Sequence, residues 1–313
     1  MSISKEIERL KQAKKDIGDA IVRKGGSVSG TIDTYAKSVM ALGDVSFRTA
    51  IDIVNKSDAK NVDLTMISPR NETSLNGLFR HNTNLTNINV SNWDTSNITS
   101  LSFAFASMTN LERVDFAEWD VSHVTDFYAM FDASNEIKII DVSKWDTSSA
   151  INMGWMLSGN NLKYLDVNHF DTSKVTNMYA MFSYSRSLTQ LDISKFDTSN
   201  VLDFGHVFAN WINVCEELNI SGLNLTKCTS MKETFFRSSF IVIISDGLKL
   251  PNIDMSNIGL DDSTKLTVDS IAGLLNALPQ SDKGYSFQIG SDNIAKLSDE
   301  QKAIATDKGW TLI

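Results

Sequence analysis

The 313-residue sequence predicts an α/β solenoid of about seven stacked coils, in which a parallel sheet alternates with short helical turns. Three observations carry this. One sentence of residues recurs through the middle of the chain: NWDTSNITSL at 92, EWDVSHVTDF at 118, KWDTSSAINM at 144, HFDTSKVTNM at 169 and KFDTSNVLDF at 195. Its aromatic anchors Trp93, Trp119, Trp145, Phe170 and Phe196 are 26, 26, 25 and 26 residues apart, the period of stacked supersecondary units. The copies degrade toward both ends, as a stack of open-ended coils requires for its caps.

Each copy has two halves. The first alternates apolar and polar residues, as in Leu188, Leu191 and Ile193 with Asp192 and Ser194 interleaved at its end, which describes a short strand with one buried face. The second spaces Val175, Met178, Met181 and Phe182 by three, three and one, which predicts one or two helical turns. The Asp-Thr-Ser between them suits a turn or helix N-cap, since short polar side chains bond nearby backbone groups. A single unit cannot bury its own apolar face, so neighbouring units stack with their strands about 4.8 Å apart.

Upstream, Leu75 and Phe79 precede Leu101 and Phe105 by 26 residues and give a partial copy without the aromatic anchor. Downstream, Leu218, Ile220, Leu223, Cys228, Met231 and Phe235 keep the register, which fades after Ile241–Ile244. Residues 44–258 are therefore assigned to the solenoid, opened by a capping strand, and 259–313 to a C-terminal α/β cap. In that cap Val268, Ile271, Leu274, Leu275 and Leu278 mark a helix stopped by Pro279. Tyr285, Phe287 and Ile289 mark a strand, and Ser298 with Gln301 a capping box opening a helix closed at Gly309. Residues 1–43 differ in composition: Ile3, Ile7, Leu10, Ile17 and Ile21 form an aliphatic stripe on a charged helix. The stripe suits either packing on a second short helix around Tyr35, Val39 and Leu42 or oligomerisation through Ile3, Leu10 and Ile17.

A net charge of −9 argues against nucleic acid or an anionic membrane as partner, because either calls for a basic surface. No apolar stretch suits a membrane span, and the N-terminus lacks the pattern of a secretory signal. Cys215 and Cys228, thirteen positions apart, match no zinc or redox spacing and read as buried small hydrophobes at leucine and valine positions.

Two acidic ladders follow from the period. Asp115, Asp141, Asp166 and Asp192 share the strand position, while Asp94, Asp120, Asp146, Asp171 and Asp197 follow the anchor. Stacked carboxylates repel unless hydrogen-bonded or neutralised. They read either as turn caps bonded to the Ser two residues on or as a row of calcium sites. Equivalent acids single out no acid–base pair, so catalysis by a glycosidase-like dyad is not expected. His81, His123, His169 and His206 share no metal-ligand spacing, and Met130, Met153, Met178, Met181 and Met231 fall in register as core filler. No other cofactor is expected. Trp155, Tyr184, Trp211, Tyr128 and Tyr179, with Tyr164, stand off the consensus and are the candidate contact residues. Exposed rings there stack on sugars, anchor a partner, or pack on a neighbouring subunit.

The WDTSNxTxMxxMF pattern resembles the BspA-like leucine-rich repeat, the 26-residue repeat of bacterial surface proteins, over about residues 64–258. The opening IERLKQAKKDIGDAIVRKGGSVSGTIDTYAKSV is similar to the N-terminal segment of bacteriophage tail and fibre proteins. The close, SDNIAKLSDEQKAIATDKGWTLI, resembles a terminal segment of phage-encoded and gut-bacterial repeat proteins. The resemblance implies a leucine-rich-repeat solenoid carried on a virion tail or head appendage, a non-enzymatic structural protein for adhesion to host glycan or surface protein. It would be made in the host cytoplasm, bind other virion proteins through residues 1–43 and form a homo-oligomer, with a trimer as one option. The alternative is a cellular BspA-like surface adhesin.

Overall fold

The computed structural model describes residues 46–313 other than 117 and 214. The helical docking module expected over 1–43, with Ile3, Ile7, Leu10, Ile17 and Ile21, lies outside them. The described chain is a parallel β-solenoid of about ten turns with few helices, more coils than the anchors suggest. Copies that lack the aromatic anchor still wind: Asn224 bridges Lys249, and Met255 bridges Phe287 of the cap.

One side of the solenoid is a ladder of short strands. β1 (Asn61–Asp63), β2 (Asn87–Asn89) and β3 (Arg113–Asp115) pair in parallel with Val62, Ile88 and Val114 in register. β4 (Gln190–Asp192), β5 (Cys215–Asn219) and β6 (Phe240–Ile244) repeat this with Leu191, Leu218 and Ile243 in register. Between the two sheets, residues 139–141 and 164–166 occupy the strand position without strand pairing. A second side is a column of single parallel bridges through Ser74, Ser100, Asp126, Asn152, Asn177, Asp203 and Ser230.

The third side, expected to be helical, is a staircase of consecutive β-turns. In the first such row Leu78 N–H bonds Leu75 O, Arg80 N–H bonds Gly77 O and Asn82 N–H bonds Phe79 O, at 3.1, 3.2 and 3.0 Å. The N–H groups of Gly77, Phe79 and His81 instead reach the next coil, at Ser102, Ala104 and Ala106, over 2.9, 2.9 and 3.0 Å. Satisfying alternate donors between coils needs left-handed residues four apart: Gly77 and His81, Phe103 and Ser107, Ala129 and Ala133, Trp155 and Gly159. A helix fails here for a hydrogen-bonding reason. On this side alternate N–H groups bond the next coil, whereas a helix spends its N–H groups within its own segment; turns lie flat and also return an apolar side chain to the core every third residue.

The core is built of columns. Phe79, Phe105 and Phe131 stack at 5.6 and 5.5 Å between ring centroids, and Trp93 lies on Trp119 at 5.9 Å and 10°. Trp93 and Trp119 also donate their indole N–H to Leu64 O and Val90 O, each at 3.0 Å. Helix α1 (Phe47–Asn55), capped by Ser46, covers the N-terminal side. It is docked by an Arg48–Glu72 ion pair of 2.9 Å and by Phe47 edge-on to Trp93 at 5.1 Å. At the other end α2 (Val268–Ala277) follows the last strand and stops before Pro279. Strand β7 (Ser286–Phe287), helices α3 (Ser291–Ala295) and α4 (Asp299–Thr306) and strand β8 (Thr311–Leu312) complete the cap, α4 opening on the Ser298–Gln301 capping box. Among the described residues no helix is long and apolar enough to cross a membrane.

Candidate functional site

The acidic ladders are turn caps. Asp120 Oδ1 accepts from Ser122 N–H at 3.0 Å and from its hydroxyl at 2.7 Å. The same bonds form at Asp94, and the backbone bond recurs at Asp146, Asp171 and Asp197. The strand-position acids do likewise: Asp141 accepts from Ser143, Asp166 from Asn168 and Asp192 from Ser194. The bridge column supplies a third such corner, with Asp126, Asn152, Asn177 and Asp203 each accepting from the N–H two residues on, at 2.9 to 3.1 Å. Ser hydroxyl and amide donors hold the carboxyls of Asp94, Asp120, Asp171 and Asp197 below the usual carboxylate range. Among the described residues no three His, Cys, Asp or Glu side chains converge on a metal-sized point.

The histidines scatter. His169 Nε2 lies 2.7 Å from Val142 O, taking the place of the indole in a coil whose anchor is Phe170. His206 lies 3.5 Å from Glu233, and burial lowers its pKa. Cys215 and Cys228 are buried, and burial pushes both thiols up to about 12.

The candidate aromatics divide. Trp211, expected on the surface, is fully buried, with Nε1 2.6 Å from Phe182 O. Its position follows the second left-handed residue of the coil, and Asn82, Met108, Ser134, Asn160, Ser185 and Ser238, which share it, are buried too. Complete register would therefore have placed Trp211 in the core. Tyr128 and Tyr179 are half-buried on the turn staircase, where Tyr128 meets Phe103 edge-on at 5.3 Å and Tyr179 lies 5.6 Å from Trp155. Tyr164 is 76% exposed on the strand side, beside the equally exposed Ile139.

Trp155 and Tyr184 come together. They line a surface cleft of about 420 Å³ with Asp132, Glu136, Asn160 and Arg186. The cleft has a local cause in the sequence. Leu85 follows Asn82 by three positions, Leu111 follows Met108 by three and Ile137 follows Ser134 by three, but Leu162 follows Asn160 by two. The 25-residue spacing is this missing residue. The shortened corner sits between two full ones, Asn135–Glu136 on one side and Arg186–Ser187 on the other, and the row of corners is notched there.

The deletion also changes hydrogen bonding. Asn82 Oδ1 accepts from the N–H groups of Asn84 and Leu85, at 3.0 and 3.1 Å. Asn160, at the same position of the short corner, donates its amide to Leu157 O, while its buried Oδ1 has no partner in the protein. Ser158 Oγ, also buried on the cleft wall, meets hydrogen-bond geometry with no protein group, although it lies near enough to Asp132 to temper that carboxyl. Burial dominates and raises the Asp132 pKa. Arg186 extends over the Tyr184 ring, 6.0 Å from its centroid. Both rings and the 25-residue step are visible in the sequence, and only the fold brings them together.

No curated protein matches the chain. A family model described as "Mycoplasma protein of unknown function, DUF285" matches residues 50–162 and again 133–245. The two matches run without a gap over more than half of the chain, through the same coils that carry the anchor and the turn staircase. The parallel solenoid and the resemblance to BspA-like repeats agree with that match, and the chain belongs to the DUF285 family.

Proposed function

We propose that this chain is a non-enzymatic interaction protein whose solenoid is a rigid scaffold for adhesion to a host-cell surface, through glycan or protein. One observation carries the reading. The repeated polar side chains are consumed in holding the coils, whereas two buried polar atoms without a hydrogen-bond partner, Asn160 Oδ1 and Ser158 Oγ, and two aromatic rings, Trp155 and Tyr184, gather at the shortened corner beside Asn160. Equivalent acids bonded to their own turns supply no pair of unequal carboxyls for acid–base chemistry.

The carrier in this proposal is a virion appendage, with residues 1–43 as docking and homo-oligomerising segment. Its support is the likeness of the opening segment to tail and fibre proteins. A second reading, a cellular surface adhesin, is favoured by the family description, which names a cellular organism. Mass spectrometry of purified particles and of washed cell envelopes separates the two: the protein co-purifies with particles in the first and with envelopes in the second. Labelled full-length protein binds intact host cells in either case, and failure to bind cells would defeat adhesion itself.

A further inference from the structure

We infer that the notch at the shortened coil is a binding subsite for the end of a neutral saccharide. The inference rests on the scaffold reading above and gives it a ligand class. Two rings, Trp155 and Tyr184, supply apolar faces of the kind that cover the C–H face of a pyranose. Asp132 and Glu136 supply acceptors for hydroxyl groups on one wall, and Arg186 supplies donors on the other. Between them Asn160, only 3% exposed, lines the cleft and carries in its covered Oδ1 an acceptor that the fold itself leaves unused. A buried acceptor without a partner is costly, and a ligand hydroxyl that reached it from the cleft would supply the missing donor.

The size and charge narrow the class further. A volume of about 420 Å³ lies in the range of small-molecule sites, roughly 300–1,000 Å³, and exceeds what a single side chain of a protein partner fills. Two carboxylates against one guanidinium disfavour sialylated or sulfated sugars. The donors and acceptors on opposite walls suit a polyol, which offers both from each hydroxyl.

The rings can be removed without forcing the backbone. Trp155 has φ 58°, and Ala129 and Ala180 occupy its position in the adjoining coils with φ 53° and 55°. Tyr184, with φ 58°, has Ala133 at its position two coils away with φ 57°. Trp155→Ala and Tyr184→Ala therefore place residues that the chain already uses there. Asn160→Ser copies Ser134 and Ser185.

The test uses the full chain on an array of neutral hexosides, N-acetylhexosaminides and 6-deoxyhexosides with sialylated and sulfated counterparts, followed by calorimetry on the saccharides that bind. The expected result is binding of neutral members, at least tenfold weaker in Trp155→Ala and in Tyr184→Ala, with thermal unfolding confirming that both variants fold. Inserting a Ser between Asn160 and Asn161 restores the full corner and should abolish binding. Neutral saccharides that bind both alanine variants as well as the parent, or an array on which none binds, would overturn the inference. Host-cell adhesion without saccharide binding overturns the subsite and leaves the scaffold reading standing; saccharide binding without cell adhesion does the reverse.

Discussion

Trp119 donates its indole N–H to the carbonyl of Val90, 29 residues earlier and one coil back, across 3.0 Å. The ring is 4% exposed, so the bond is formed away from water. It makes the Trp a cross-coil strut as well as a filler. Trp119→Phe keeps most of the apolar volume and leaves the Val90 oxygen unsatisfied, which should cost about 1–3 kcal/mol. Trp119→Ala adds a cavity and should cost about 3–5 kcal/mol. Where the anchor is Phe170, His169 reaches the equivalent carbonyl of Val142. His169→Ala should therefore destabilise, and Phe170→Trp should recover part of that loss, as read by denaturant midpoints of the four proteins of the cycle.

The turn caps make acid stability predictable. Asp94, Asp120, Asp171 and Asp197 have folded-state pKa values below the usual range, chiefly through Ser hydroxyl donors. A depressed carboxyl contributes stability that is present above its unfolded pKa, near 3.9, and is lost as pH falls through the lower folded value. The melting temperature should be nearly flat from pH 7 to 5 and fall steeply below about pH 4. Asp120→Asn, which copies Asn89 and Asn219 of the neighbouring ladder, should soften that fall. Calcium or chelator should leave the curve in place, and a calcium-dependent rise in melting temperature would return the ladders to metal binding.

Thiol chemistry reports on the same core. Burial raises both Cys215 and Cys228 to about 12, so neither is a thiolate at neutral pH. The native protein should be inert to a disulfide reagent, with two thiols titrating only after unfolding. Rapid labelling of either cysteine in the folded state would contradict the packing described.

Substitution at Ser107 distinguishes the staircase from a helix. Its φ is 56°, a region that costs an L-residue roughly 1–2 kcal/mol and glycine little. Ser107→Gly should raise stability by up to about 1 kcal/mol. In a helix the same change would lower it by a few tenths of a kcal/mol to about 1. The sign of the shift in thermal unfolding decides.

Several features are legible in the sequence. The 26-residue step, the buried face of each strand and the aromatic columns all follow from a pattern that repeats, and repetition makes the local signal strong. The Asp corners were legible because an Asx cap is made within three residues. The C-terminal helix stop at Pro279 and the Ser298–Gln301 capping box are equally local. The apolar spacing of Val175, Met178, Met181 and Phe182 predicts a helix, but a chain of turns brings side chains back at the same interval.

What the sequence by itself determined is the stack: its period, its core positions and the caps of its turns, each set by residues close together in the chain or recurring along it. The tertiary structure decided three other things. Turns replace helices because alternate N–H groups on that side bond the neighbouring coil rather than their own. Trp211 is buried because a complete coil surrounds its position. One absent residue near Asn160 becomes a cleft because two full-length corners flank it, and depth at a surface is a relation between neighbours that no single repeat contains.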